Sequence, residues 1–270
     1  MNAVAAHYDL HAEREWERLE RHRTEYAVTL RALADHLPPP ARVLDLGSGP
    51  GRYAITLTQQ GYSLTLVDLS RRSLDLAQLK AAEAGIFLRS VFQADAAALP
   101  DDFTAGFDAV LLLGPLYHLL SEEARLRAVR GAYRALVPGG VVFAAFVSRF
   151  APLRDVAIHS PGWILDNPER FARLVDHGLN PAGASNSFTD SYFAHPSEII
   201  PLMEAGGFST RRLIALEGLV AGHEETVNDL EGEAWEAWVD LNYRMGHDPA
   251  MYGAADHLLY IGRRPGQADG

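Results

Sequence analysis

The chain has no cysteine, so disulfides, thiolate metal ligands and cysteine nucleophiles are all excluded, which fits a reducing compartment such as the cytoplasm. It is also short of basic residues. Its 24 Lys and Arg against 35 Asp and Glu give a formal net charge of −11, which leaves no overall positive field for a polyanion and disfavours a nucleic-acid partner. No apolar run approaches the roughly 20 residues that span a bilayer. Where a leader would carry its apolar core, the chain reads Glu13-Arg14-Glu15-Trp16-Glu17-Arg18; neither export nor membrane insertion is expected, and the expected location is cytoplasmic. There is no Gly-x-Ser-x-Gly elbow for serine hydrolysis. The His-x-x-x-His formed by His7 and His11 lacks the glutamate of a zinc protease, and His223-Glu224-Glu225 reads as a helix start, so no metal is expected. Internal repeats and low-complexity tracts are absent as well.

What is present centres on Val43 to Tyr53, Val-Leu-Asp-Leu-Gly-Ser-Gly-Pro-Gly-Arg-Tyr. A short apolar run carrying one acid turns through three glycines at alternate positions and enters an amphipathic segment: strand, tight turn, helix start. A dinucleotide loop would read Gly-x-Gly-x-x-Gly; here the sixth position is Arg52. The pattern is instead Asp-x-Gly-x-Gly-x-Gly, from Asp45 through Gly47 and Gly49 to Gly51. An acid two residues before the first glycine suits a cofactor with a positive charge near the loop better than it suits a pyrophosphate.

At this motif the chain resembles the class I S-adenosylmethionine (SAM) dependent methyltransferases. The next strand, Ser63 to Val67, ends at Asp68, 23 residues after Asp45, where a carboxylate can accept from both ribose hydroxyls. Ala94-Asp95-Ala96, after a third strand expected over Phe87 to Gln93, matches the family's third motif, in which the acid approaches the adenine amino group. The resemblance implies a cofactor site of Asp45, Gly47, Ser48, Gly49, Gly51, Asp68, Leu69, Asp95, Ala96 and Leu113. Ser70 is expected to cap a helix that Gly85 stops.

Phe107 to Gly114 is nearly all apolar, as in a central parallel strand buried on both faces, and runs into Pro115-Leu116-Tyr117-His118-Leu119-Leu120. In an open parallel sheet ligands sit beyond the carboxyl ends of the strands, which puts Tyr117 and His118 on the reactive side. Ser121 caps the following helix, which Pro138-Gly139-Gly140 closes before a fifth strand from Val141 to Val147. The Leu-Val-Pro-Gly-Gly ending is a further match to the family.

The fold expected is α/β, a doubly wound, seven-stranded, mostly parallel Rossmann-like sheet with an antiparallel seventh strand and helical cap insertions. A single N-terminal helix from about Ala12 to Leu37 shows Trp16, Leu19, Tyr26, Leu30 and Leu33 on one face, and Pro38 ends it. Residues 1–40 are assigned to an N-terminal lid, 41–147 and 195–270 to the cofactor-binding core, and 148–194 to a cap. The cap is expected to hold one short helix, Pro168 to Asp176, a turn over Asn180 to Asn186, and the aromatics Trp163, Phe171, Phe188, Tyr192 and Phe193. The sixth strand is expected over Phe208 to Leu216 and the seventh over Asp256 to Gly262. The Gly218 to Ala255 connection, with a helix holding Trp235 and Trp238, is longer than the family's usual hairpin.

By resemblance the reaction is transfer of a methyl group from SAM to an oxygen or nitrogen of a small metabolite, leaving S-adenosylhomocysteine. Catalytic candidates are His118, as a near-neutral proton acceptor, His257, and Tyr8, since the family often carries a lid tyrosine near the methyl donor. An antiparallel last strand would begin at the reactive edge, which is what brings in His257. Substrate-site candidates are Tyr117, His118, Tyr192, His195 and His223. A homodimer stays open, as do two rivals: an RNA or protein methyltransferase, and a SAM-binding protein that senses SAM or uses it for a non-methylating displacement.

Overall fold

The computed structural model describes residues 3–88, 90–180 and 190–266. Two helices, α1 (Ala3–Arg21) and α2 (Arg23–His36), precede the sheet-forming chain. Then come β1 (Arg42–Leu46), α3 (Arg52–Gln59), β2 (Ser63–Asp68), α4 (Arg71–Glu83), β3 (Ser90–Gln93), β4 (Phe107–Leu112), α5 (Glu122–Ala135) and β5 (Leu136–Val147). The insertion after β5 holds α6 (Ala151–His159), α7 (Trp163–Asp166), α8 (Pro168–His177) and a small ladder of β6 (Leu179–Asn180) with β7 (Ser191–Tyr192). The chain closes with α9 (Pro196–Ala205), β8 (Ser209–Ala215), α10 (Glu224–Asn228), α11 (Gly232–Met245) and β9 (His257–Arg263).

Seven strands make one sheet in the order β3-β2-β1-β4-β5-β9-β8. Strands β1 to β5 pair in parallel, and β9 runs antiparallel between β5 and β8, as expected. The order reverses at β1, so the crevice between β1 and β4 at their carboxyl ends is the topological switch point where such sheets hold ligands. Because the pleat alternates, β1 sends Val43 into one apolar layer and Leu44 and Leu46 into the other. All three are fully buried, each worth on the order of 1.5–3 kcal/mol.

Local signals hold where one side chain satisfies one backbone donor. Ser70 Oγ accepts from Ser73 N and Ser121 Oγ from Ala124 N at the starts of α4 and α5, as read from the sequence. Differences arise where packing decides. The single N-terminal helix is broken at His22 (φ −107°, ψ 57°). Its imidazole pairs with Glu224 at 2.9 Å, and the neighbouring Arg23 lies 4.1 Å over the Trp235 ring. The break lets α2 keep Val28, Ala32 and Leu33 in the core while α1 turns over the strand ends toward α4. Asp9 accepts there from Ser70 Oγ at 2.6 Å, and Glu13 pairs with Arg72 at 2.6 Å.

Strand β3 starts at Ser90, because Phe87 is 80% exposed and outside the ladder. The insertion holds three helices instead of one; of the turn expected over Asn180 to Asn186, Asn180 belongs to β6 and the rest, like Phe188, lies outside the described residues. Among the described residues, no helix is long and apolar enough to cross a membrane.

Candidate active site

The glycine loop begins where β1 stops. Its first two amides, Gly47 N and Ser48 N, both donate to Val67 O, at 2.7 and 3.1 Å, which folds the turn over the end of β2. The three glycines do different work. A Cβ on Gly47 would fall 2.4 Å from Pro115 Cγ, and one on Gly51 2.9 Å from Ala77 Cβ, so both permit close protein packing. Gly49 (φ +51°) alone faces space: nothing lies nearer its missing Cβ than Glu15 Cγ at 4.0 Å. A ligand can therefore rest on the Gly49 backbone.

Asp68 closes this turn. Its Oδ2 accepts from Gly49 N and its Oδ1 from Ser70 N, both at 2.8 Å, which leaves lone pairs for two further donors. Burial lifts its pKa to about 6 against the lowering effect of those amides. Asp45 lies behind, 2% exposed, with Oδ2 buried and unpartnered, and burial and the Asp68 charge push it to about 7. A buried orphan carboxylate oxygen beside an open glycine cradle suits a cationic nucleoside, since a positive charge placed there would favour both ionised carboxylates. Asp95 lines the same cleft and caps the following 3₁₀ turn, Oδ1 accepting from Ala97 N at 2.8 Å.

The cleft opens to solvent, and its cavity volume is about 120 Å³. Of the cofactor residues expected, Gly47, Gly49, Asp68, Leu69, Asp95 and Ala96 line it. Asp45, Ser48, Gly51 and Leu113 are not among its lining residues, and the Ser48 hydroxyl is buried without a partner.

Opposite the loop, helix α1 and the turn after β4 meet. Tyr8 Oη and His118 Nε2 lie 2.6 Å apart although 110 positions separate them in sequence. The Tyr117 ring lies tilted at 58° to the His118 ring, centroids 4.6 Å apart, and Tyr8, Tyr117 and His118 all line the cleft. Burial lowers His118 to about 4, against a hydrogen bond with the Asp190 main chain that raises it. Burial also holds the Tyr8 phenol well above its usual value. Near neutral pH the pair is thus a phenol O–H donating to a neutral imidazole.

The other candidates lie elsewhere. Tyr192 donates to Glu198 beneath the Arg125 guanidinium, 3.5 Å above its ring. His195 caps α9, its Nδ1 accepting from Ser197 N, and His223 is exposed at the start of α10. His257 does begin β9 opposite Val147 at the carboxyl edge of β5, as the strand direction implies. Its imidazole, however, faces Glu217 at 2.5 Å and Glu25 at 3.8 Å. Burial alone would lower its pKa, but the two carboxylates outweigh that and hold it up at about 10. It carries its proton at neutral pH and is unsuited to act as a proton acceptor. The ligand atoms of Glu25, Glu217 and His257 lie within 4.8 Å of one another. Arg18 takes both oxygens of Glu25, at 2.7 and 3.3 Å, so a guanidinium and an imidazolium already supply the positive charge a metal ion would bring.

Sequence reasoning missed Glu15 and Arg18. They sit one turn apart on α1, joined Arg18 Nε to Glu15 Oε1 at 2.8 Å. Their spacing of three puts them on one face, but only the tertiary structure shows that Glu15 lines the cleft.

A family model described as a methyltransferase domain matches residues 43–140. A ubiquinone biosynthesis O-methyltransferase of Pseudomonas fluorescens (strain Pf0-1) is 32% identical over 175 residues, 65% of this chain and 67% of that protein. A protein of the same name from Paracidovorax citrulli (strain AAC00-1) is 32% identical over 138 residues, 50% of this chain and little more than half (57%) of that relative. A solved SAM-dependent methyltransferase of Methanosarcina mazei aligns with a TM-score of 0.60 at 17% identity, over 87% of this chain and 98% of that one, a likeness of fold alone.

Proposed function

Because the chain belongs to the class I SAM-dependent methyltransferases and uses SAM, we propose that it methylates an oxygen or nitrogen of a small-molecule acceptor, with Tyr8 and His118 handling the proton. The observation that carries this reading is the Tyr8–His118 hydrogen bond, set in the wall of the cleft that also contains Gly49 and Asp68. The relatives named for ubiquinone biosynthesis O-methylation favour a small acceptor.

Bound SAM supplies an electrophilic methyl group on a sulfonium. The chain's task is then to hold and to orient. The Gly49 backbone offers a surface without side-chain bulk, Asp68 would accept from the ribose hydroxyls, and Asp95 would face the adenine. Fixing the acceptor in line with the methyl carbon accounts for much of the rate, since well-oriented reactions gain on the order of 7–11 kcal/mol from positioning. As the acceptor attacks, its proton passes to Tyr8 Oη, and the phenolic proton moves to His118 Nε2. Tyr8 stays neutral throughout, and the low basicity of His118 suits an acceptor whose proton becomes acidic only as the new bond forms.

The test is incubation with methyl-labelled SAM and a metabolite extract, followed by mass spectrometry. The expected result is one extract component gaining a single labelled methyl with the wild-type chain and none with Gly49→Val, whose side chain fills the cradle. If no component is labelled although SAM binds, the chain is not a small-molecule methyltransferase.

A further inference from the structure

We propose that the chain carries a second ligand site, outside the cofactor cleft, that takes an organic monocarboxylate on Arg125; this does not depend on the function proposed above. The site is a cavity of about 490 Å³, open to solvent, between the start of α5, the end of α8, β7 and α9. That volume is in the range of small-molecule sites. Among the described residues, the cavity and the cleft have no lining residue in common.

The cavity wall holds a positive charge with no counterpart. Arg125 is 6% exposed, and a guanidinium stays protonated even when buried. Its Nη1 directs both hydrogens to main-chain carbonyls, Leu119 O at 2.7 Å and Leu120 O at 2.9 Å. Nε is buried without a partner. Among the described residues Nη2 has no acceptor either, and no carboxylate pairs with the group. The Tyr192 ring, 3.5 Å away, offers its face, which is only part of a countercharge. Glu198 is engaged elsewhere: it accepts from Arg149 Nη2 with both oxygens, at 2.7 and 2.9 Å, and also from the Tyr192 hydroxyl and His195 N. Buried charges are ordinarily paired, so Arg125 calls for an anion from outside the chain. Nε and Nη2 share one edge of the planar group, and two parallel donors match the two oxygens of a carboxylate. Pro201, Leu202 and Ala205 give an apolar wall for the body of the ligand. Glu122 and Asp176, exposed in the same wall, repel a second negative charge and disfavour a dianion.

Calorimetry with benzoate, a carboxylate on an apolar ring, tests the site, with benzamide as its uncharged counterpart and inorganic phosphate as the rival anion. Benzoate is expected to bind the wild-type chain about 10-fold or more tightly than either, and to weaken about 10- to 100-fold in Arg125→Gln, the loss of a hydrogen bond to a charged group. Ala205→Phe, at an exposed position of α9, puts a ring into the cavity and leaves the hydrogen bonds of Arg125 in place. It is expected to abolish benzoate binding, and it decides the matter alone if Arg125→Gln does not fold. The proposal is overturned if benzoate does not bind the wild-type chain, if benzamide or phosphate binds as tightly, or if either folded variant keeps wild-type affinity for benzoate.

Discussion

His118 and His257 sit on the same edge of the sheet, each beside polar side chains, and their surroundings drive them in opposite directions. The His118 ring packs against the rings of Tyr8 and Tyr117, centroids 5.3 and 4.6 Å away, and touches a phenol that brings no negative charge. Desolvation dominates, and its pKa falls to about 4. His257 has the carboxylates of Glu217 and Glu25 within 3.8 Å, and Coulombic attraction overrides desolvation, taking it to about 10. Burial by itself therefore says nothing about the role of a histidine. The charge of its neighbours decides whether it keeps a lone pair for chemistry or a proton for structure.

The sharpest way to break this contrast is to remove each ring. His257→Ala strands Glu217, fully buried, without its imidazolium, and is expected to cost about 3 kcal/mol or more of stability in urea unfolding. A loss under about 1 kcal/mol would show that the cluster is not an ion pair of consequence. For His118→Ala the order inverts. Turnover is expected to fall about 100-fold, the scale of a lost proton acceptor, with SAM affinity held and stability lowered by only about 1–2 kcal/mol, the cost of an orphaned Tyr8 hydroxyl. Unchanged turnover removes His118 from the mechanism.

The pH dependence of stability sharpens the same contrast. His257 has its folded pKa raised from 6.5 to about 10, so its contribution is complete below about 6.5 and fades as pH climbs toward 10. His118 is lowered from 6.5 to about 4, so its contribution is complete above about 6.5 and fades as pH falls toward 4. Melting temperatures should therefore drop less on the alkaline side in His257→Gln, and less on the acid side in His118→Gln, than in the wild-type chain. If both variants follow the wild-type curve, the two rings titrate alike and the comparison fails.

Legibility followed the range of the interaction. The caps Ser70 and Ser121 were readable because each acts on a backbone amide three residues on. The strand direction that placed His257 at the reactive edge was also readable, but the proton it carries was not: Glu25 and Glu217 come from 232 and 40 positions away in sequence. Within the insertion α8 was readable, expected over Pro168 to Asp176 and found over Pro168–His177, whereas α6 and α7, which bury no side chain, were not.

Composition, periodicity and one glycine motif sufficed for the doubly wound sheet and for the strand, tight turn and helix start that open it, because alternation and turn residues are written in short-range spacing. The lid's direction was decided only by tertiary structure. The chain breaks at His22 because Glu224 and Trp235, folded back from the far end, hold it there. That break aims Tyr8 at His118 and Glu15 at Gly49. Long-range contacts of this kind leave no periodic trace in a sequence, since each partner alone is an ordinary polar residue on a helix.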